Sequence, residues 1–291
     1  MDSQERLQSR LSNVSAVEPI LGAMRTISLS SRMLAMNRAE STARYAEGLL
    51  AVLSQVGHAL PPGGTPWDPH RQKRVLVLVL GTERGLCGSL NDLLAAHAVP
   101  IVLAHQEQGV EVRLGALGKS AEKSLRRLGR SPLWTMRMPS RGLPPYAVAL
   151  QLSQQWLSDY EGGELDGVQV VHAVRRGLSG YFSTTSQLLP PDLTLQVTAD
   201  DLQWPPILEG DLLSLYRRSL ALWLCTSFYG IMLRSAVAEH SARYQLTEGA
   251  ARNAERLTEE LALQLQQARQ EAITAEMQDL MGGAGLIGGR N

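Results

Sequence analysis

Three things are scarce in this sequence, and each scarcity removes a class of explanation. Cysteine occurs only twice in 291 residues, as Cys87 and Cys225. Such a distant pair supports neither a disulfide framework nor a thiolate metal site, and it suits a reducing compartment. Excess charge of either sign is missing, with 28 basic and 28 acidic residues, so nothing in the balance points to nucleic acid or an anionic membrane surface as partner. A membrane-spanning run is missing too. The longest apolar stretch, SLALWLCTSFYGIML between Arg218 and Arg234, falls short of the roughly 18 to 20 residues that cross a bilayer, and a buried helix face is expected there. Lysine is confined to Lys73, Lys119 and Lys123, a bias without functional weight. The opening MDSQERLQSRL is charged from its second residue and lacks the apolar centre of a secretory signal.

What is present is long helical patterning at both ends. Residues 3 to about 58 read as one helix, with Leu7, Leu11 and Val14 stepping by four and three. Val17, Ile20, Met24, Ile27, Ser31 and Leu34 then continue in a shifted register, so a heptad-like seam with a slip is expected. Pro19 predicts a bend rather than an end. PPGGTPWDPH, from Pro61 to His70, must break the helix. Strand-like and helix-like segments then alternate to about residue 200, ending in an extended pair, STTSQLLPPDLTLQV; near-continuous apolar strands argue an α/β layer around a largely parallel sheet. A second helical stretch runs from near Glu209 to about Met281, where GGAGLIGG is expected to stop it. Some 70 residues would reach about 100 Å, more than one small domain covers.

The fold class expected is therefore α/β: a long antiparallel two-helix coiled coil formed by the N- and C-terminal helices, with an inserted Rossmann-like α/β domain. The expected parts are residues 1–60 for the first arm of the shaft, 72–200 for the inserted domain and 208–291 for the second arm.

Candidate chemistry centres on GTERGLCGSLN, Gly81 to Asn91, a glycine-rich loop between strand and helix. Phosphate binding there would need a Lys after the last glycine, or the G-x-G-x-x-G spacing, and the loop has neither. A structural turn is the stronger reading, with no nucleotide cofactor. Cys87 has no recognisable catalytic base and reads as a packing residue. The six histidines show no metal-ligand spacing, and no metal is expected.

Four segments together carry a resemblance. RLSNVSAVEPILGAMRTIS is similar to the N-terminal signature of the γ subunit of F-type ATP synthases. GTERGLCGSLN resembles that family's loop, keeping Arg84, Gly85, Leu86, Cys87, Gly88, Leu90 and Asn91. AEHSARY and ARQEAITAEMQDLMGGAGLI are similar to its two C-terminal motifs. The resemblance covers the whole chain and keeps the motif order.

It implies a central rotor shaft with no catalytic site of its own. The implied partners are the hexamer of α and β subunits, the ε subunit and the c-ring, with no nucleic acid. Attachment to the cytoplasmic face of a bacterial membrane would be peripheral, through the complex. It also implies that Met24, Arg25, Arg243, Arg269, Gln270 and Thr274 contact the β subunit, and that Arg84, Gly85, Cys87 and Gly88 form a structural loop in the foot. Departures are the thinned lysines of the first helix, Pro19, and YQLTEGAARNA, which keeps only Asn253 and Ala254 of a family motif. They leave open a divergent sodium-translocating N-type ATPase subunit, beside the more distant alternative of a stand-alone α/β nucleotide-binding enzyme. No cysteine-bearing regulatory insert of the chloroplast kind is seen.

Overall fold

A computed structural model describes residues 3–61, 73–139, 142–177, 180–193 and 208–288. The elements in chain order are α1 (Ser3–Ala59), β1 (Arg74–Leu80), α2 (Leu90–Glu107), β2 (Glu111–Leu117), α3 (Lys119–Arg127), β3 (Trp134–Met136), α4 (Tyr146–Glu161), β4 (Gly167–Arg176), β5 (Gly180–Leu189) and α5 (Leu212–Gly288). The chain divides into two compact units. One joins the residues up to Ile27 with those from Tyr244 onward; the other runs from Ser28 to Arg243.

The second unit is organised by a five-stranded sheet in the order β3-β2-β1-β4-β5. Its first four strands are parallel, and β5 is antiparallel to β4. Successive strand residues face opposite sides, and RVLVLVL uses both. Val75, Val77 and Val79 enter a core with Leu90 and Leu94 of α2 and Leu125 of α3. Leu78 and Leu80 enter a second core with Trp156 of α4, Leu53 and Val56 of α1, and Leu224 and Phe228 of α5. A strand apolar on both faces is what a sheet covered on both sides demands. Asp166 latches its lower end: the carboxylate accepts the backbone N–H groups of Lys73 and Arg74 at 2.9 and 2.8 Å.

Within this unit α1 and α5 run antiparallel. A Cβ at Gly57 would sit 3.3 Å from Tyr216, and one at Gly230 would sit 3.6 Å from Thr42. The SLALWLCTSFYGIML segment is largely buried, as expected. The α5 helix does contain a window long and apolar enough to cross a membrane by composition, and 78% of that window is buried inside the protein, as in a core helix.

In the first unit the two helices are also antiparallel. Gln4 donates to the Ala268 carbonyl at 3.0 Å, and Arg25 pairs with Glu248 at 3.0 Å. The inner stripe of α5 is Thr247, Ala251, Ala254, Thr258, Leu261 and Leu265, an unbroken three-four alternation.

Two expectations need correction. The slip in the α1 seam does not occur: the stripe of Leu7, Leu11 and Val14 continues in register through Leu21, Ser28, Ala35 and Ala39. Val17, Ile20, Ile27 and Leu34 are exposed at 46, 59, 62 and 57%. Small and polar residues fill the true seam, so following the larger side chains selects the neighbouring stripe on the outer face. Second, α5 does not stop at the glycines after Met281 but continues to Gly288; single glycines cost only about 1 kcal/mol each in a helix. As expected, Pro19 does not end α1, which runs through it. The second member of the extended pair after β5 lies outside the described residues from 194 onward.

Candidate functional site

The loop after β1 is closed by its own bonds. Asn91, at the start of α2, reaches back: its Oδ1 accepts the Thr82 N–H at 3.0 Å, and its Nδ2 donates to Thr82 Oγ1 at 3.0 Å and Cys87 Sγ at 3.3 Å. Thr82 Oγ1 in turn donates to the Arg84 carbonyl at 2.7 Å. Two left-handed residues, Leu86 at φ 62° and Gly88 at φ 60°, let the chain turn this tightly. The close approach that demands glycine is at Gly81, where a Cβ would lie 2.6 Å from both Ala121 Cβ and Asn91 Oδ1. That packing is against α3 and the start of α2, and Gly85 faces open space.

The neighbouring anion position is taken as well. Glu83 accepts the backbone N–H groups of Lys119, at the start of α3, and Met138, at 3.2 and 3.1 Å, and pairs with Arg137 at 3.0 Å. Burial opposes its charge, but the two N–H donors and the guanidinium outweigh it and hold its carboxyl below the usual range. The edge of an α/β sheet where a phosphate would sit therefore carries the chain's own carboxylate.

The loop meets the AEHSARY segment of α5. Cys87 is buried and its thiol is pushed upward, by burial first and by the charge of Glu239 in addition, against the pull of Thr82, Arg243 and Asn91. A raised thiol is the opposite of an activated nucleophile. Glu239 pairs with Arg243 at 2.6 Å; burial pushes its carboxyl upward, while Arg243 and then Arg84 pull it down. His240, 3.4 Å from Arg243, is lowered to about 4, by burial and then by that guanidinium. Two motifs about 150 residues apart in sequence thus form one buried polar knot, whose chemistry is cohesion.

The expected partner-contact residues are spread over the molecule. Met24 is half-buried and Arg25 half-exposed, tied to Glu248, which also accepts Arg252 at 2.8 Å. Arg243, with 11% of its side chain exposed, belongs to the other compact unit. Arg269, Gln270 and Thr274 are exposed, with Thr274 Oγ1 donating to the Gln270 carbonyl at 2.8 Å. From Glu248 to Arg269 is about 30 Å along α5. Sequence reasoning missed Glu83 and Asp166. Each is a lone acid beside a strand end, and only the fold supplies the N–H groups they accept. It missed the exposed α1 face for the reason given above.

In the unit from Ser28 to Arg243, α1 and α5 pack antiparallel on one face of a mixed sheet whose loop after β1 is closed by its own polar groups, which defines a mixed α/β class with long terminal helices. The comparisons particularise it. The sequence pattern of the family described as ATP synthase matches residues 3–285. The ATP synthase gamma chain of Parabacteroides distasonis is 28% identical over 287 residues, covering 98% of this chain and 99% of that one. That of Mannheimia succiniciproducens is 26% identical over 293 residues, covering 99% and 100%. Among solved structures, a chain of the Euglena gracilis mitochondrial ATP synthase (OSCP/F1/c-ring) superposes with a TM-score of 0.65 at 17% identity, covering 98% of this chain and 94% of that one. A chain of the Tetrahymena thermophila mitochondrial ATP synthase central stalk and c-ring gives 0.58 at 19%, covering 79% and 99%. The chain belongs to the ATP synthase family, is similar to ATP synthase gamma chains over nearly its whole length, and is a subunit of that larger enzyme complex.

Proposed function

We propose that this chain is the turning shaft that couples rotation of a membrane c-ring to the conformational cycle of catalytic β subunits, with no catalytic centre of its own. On this reading its upper helices stand in the hexamer of α and β subunits, the α/β unit meets the c-ring and the ε subunit, and residues 1–60, 72–200 and 208–291 are its three parts. It is held at the cytoplasmic face of a bacterial membrane through these partners.

The observation that carries the reading is the surface of the end unit. Past Ala268, α5 is exposed all round through Met281, and Ile273, Met277, Leu280 and Met281 are bare alongside Arg269, Gln270 and Thr274. Val17, Ile20 and Ile27 present an apolar outer face on α1. Exposed apolar residues in such number mark a surface that a partner covers. Met24, Arg25, Arg269, Gln270 and Thr274 would engage β from that surface, with Arg269 offering a planar donor fork to a carboxylate. Arg243, already paired with Glu239, would contribute through its exposed edge. Rotation does work only if the face turned toward each β subunit binds one β conformation better than another, so that the shaft shifts their populations.

Truncation before Arg269 in the assembled complex tests this. ATP synthesis driven by an ion gradient should fall strongly while the α/β unit stays folded and the complex still co-purifies with α and β. Undiminished synthesis would remove the assigned grip, and a chain that never co-purifies with α and β would remove the shaft reading itself.

A further inference from the structure

Away from the polar knot, in the unit that runs from Ser28 to Arg243, an open cleft of about 460 Å³ lies between α1, the end of β4 and α5. Met36, Ala39, Val174 and Val237 line its walls. Arg175 and Arg234 border the same space. Arg175 Nε is buried with no hydrogen-bond partner among the described residues. Its Nη1 donates to the Met36 sulfur, a weak acceptor, at 3.8 Å in an exposed contact. Arg234 is half-buried, and among the described residues it makes no ion pair or hydrogen bond. Burial alone pulls its pKa down. His172 beside it is held neutral and supplies no counter-ion. Glu40 is the acidic residue bordering the cleft, and it is exposed.

Guanidinium groups partly withdrawn from water and paired with no carboxylate are unfavourable unless something anionic completes them. Two of them on one concave, apolar-walled site of small-molecule size make a recognisable ligand preference. We propose that this cleft binds a small organic anion, its phosphate or carboxylate head on Arg175 and Arg234 and its short apolar body against Met36 and Val237. The site is separate from the shaft's grip on its partners and does not depend on that reading.

Isothermal titration of the full-length chain with hexyl phosphate and with inorganic phosphate tests it. Hexyl phosphate should saturate one site per chain and bind about tenfold or more tighter than phosphate, since its methylenes leave water for the apolar walls. Arg175→Gln and Arg234→Gln should each weaken it by about tenfold, the value of a charge-assisted hydrogen bond. Met36→Asp keeps both arginines but sets a carboxylate in the cleft wall beside Arg175, and should abolish binding; its thermal unfolding, like that of the arginine variants, reports that the fold is intact. Competition by phosphatidylglycerol vesicles would assign the anion to a lipid headgroup, and indifference to them to a soluble metabolite; either supports the site. No saturable binding overturns the proposal, as does wild-type affinity in all three folded variants. Binding that appears only in Glu40→Gln makes Glu40 the cleft's own counter-ion and likewise overturns it.

Discussion

Between Ser28 and Arg243, helices α1 and α5 press Leu53, Val56, Leu220, Leu224 and Phe228 into a core that the sheet closes from the other side. In the unit formed by the chain's ends, the same two helices bury only Thr247, Leu261 and Leu265 among the described residues. One pair of helices thus serves two physical regimes. In the first, apolar burial supplies cohesion, and side chains fit a packed interior. In the second, a narrow seam of Leu, Val, Ala and Thr holds two helices while larger apolar groups point outward. Such a unit has little cohesion of its own, and its outer surface is the one proposed to meet a partner.

The sharpest break of this contrast is Phe228→Ala. Phe228 is fully buried, with its ring 4.7 Å from that of Trp156 in an edge-on arrangement, and its truncation should destabilise the chain by about 3–5 kcal/mol. Urea denaturation followed by circular dichroism measures this; a loss as small as that of a surface change would mean that the central core is no tighter than the end seam.

Next comes Gly81→Ala, whose new methyl group would overlap Ala121 and Asn91. A loss of about 1–3 kcal/mol is expected from overpacking, while Gly85→Ala, in open space, should change stability by less than about 0.5 kcal/mol. Equal effects at the two glycines would contradict the assignment of the close approach.

The pH dependence should belong to the sheet-bearing unit, where burial lowers His172 and His240 from an ordinary 6.5 to about 4. Below 6.5 the unfolded chain takes up protons that the folded chain refuses until about 4. The unfolded state then binds more protons, and stability falls as pH drops through this window. Denaturation midpoints at about pH 7.5 and about pH 5 should therefore differ, and less so in His172→Gln and His240→Gln. A flat profile in the unaltered chain would show that neither imidazole is sealed from water.

The smallest effect is expected at Arg25→Ala. Its pair with Glu248 is exposed, and Glu248 keeps Arg252 as a second cation, so the melting temperature should not move measurably. If Arg25 grips β, as proposed, ion-driven ATP synthesis by the complex should nevertheless fall. A stability change without a coupling change would make Arg25 a structural residue only.

The reading of particular residues shows why some features were visible in advance. RVLVLVL declared a strand covered on both faces because every position after Arg74 is apolar, and the alternation of strand and helix declared a layered sheet. The loop GTERGLCGSLN was legible as a turn because its spacing rules out a phosphate cradle. The seam of α1 was not legible beyond Val14. Two adjacent stripes share the same period, and the one carrying Ile and Met is not the one that packs when the partner helix requires Ser and Ala. Glu83 could not be read either, because its partners Lys119, Arg137 and Met138 come from segments that only the sheet order brings together.

Local periodicity and composition were sufficient to determine two terminal helices, a central α/β layer and the family motifs, since these depend on interactions between residues a few positions apart. Which face of α1 turns inward, which glycine is sterically required, and how Cys87, Glu239 and Arg243 come to share one knot were decided by tertiary structure. These depend on what a distant segment places opposite each side chain, and a one-dimensional pattern contains no such information.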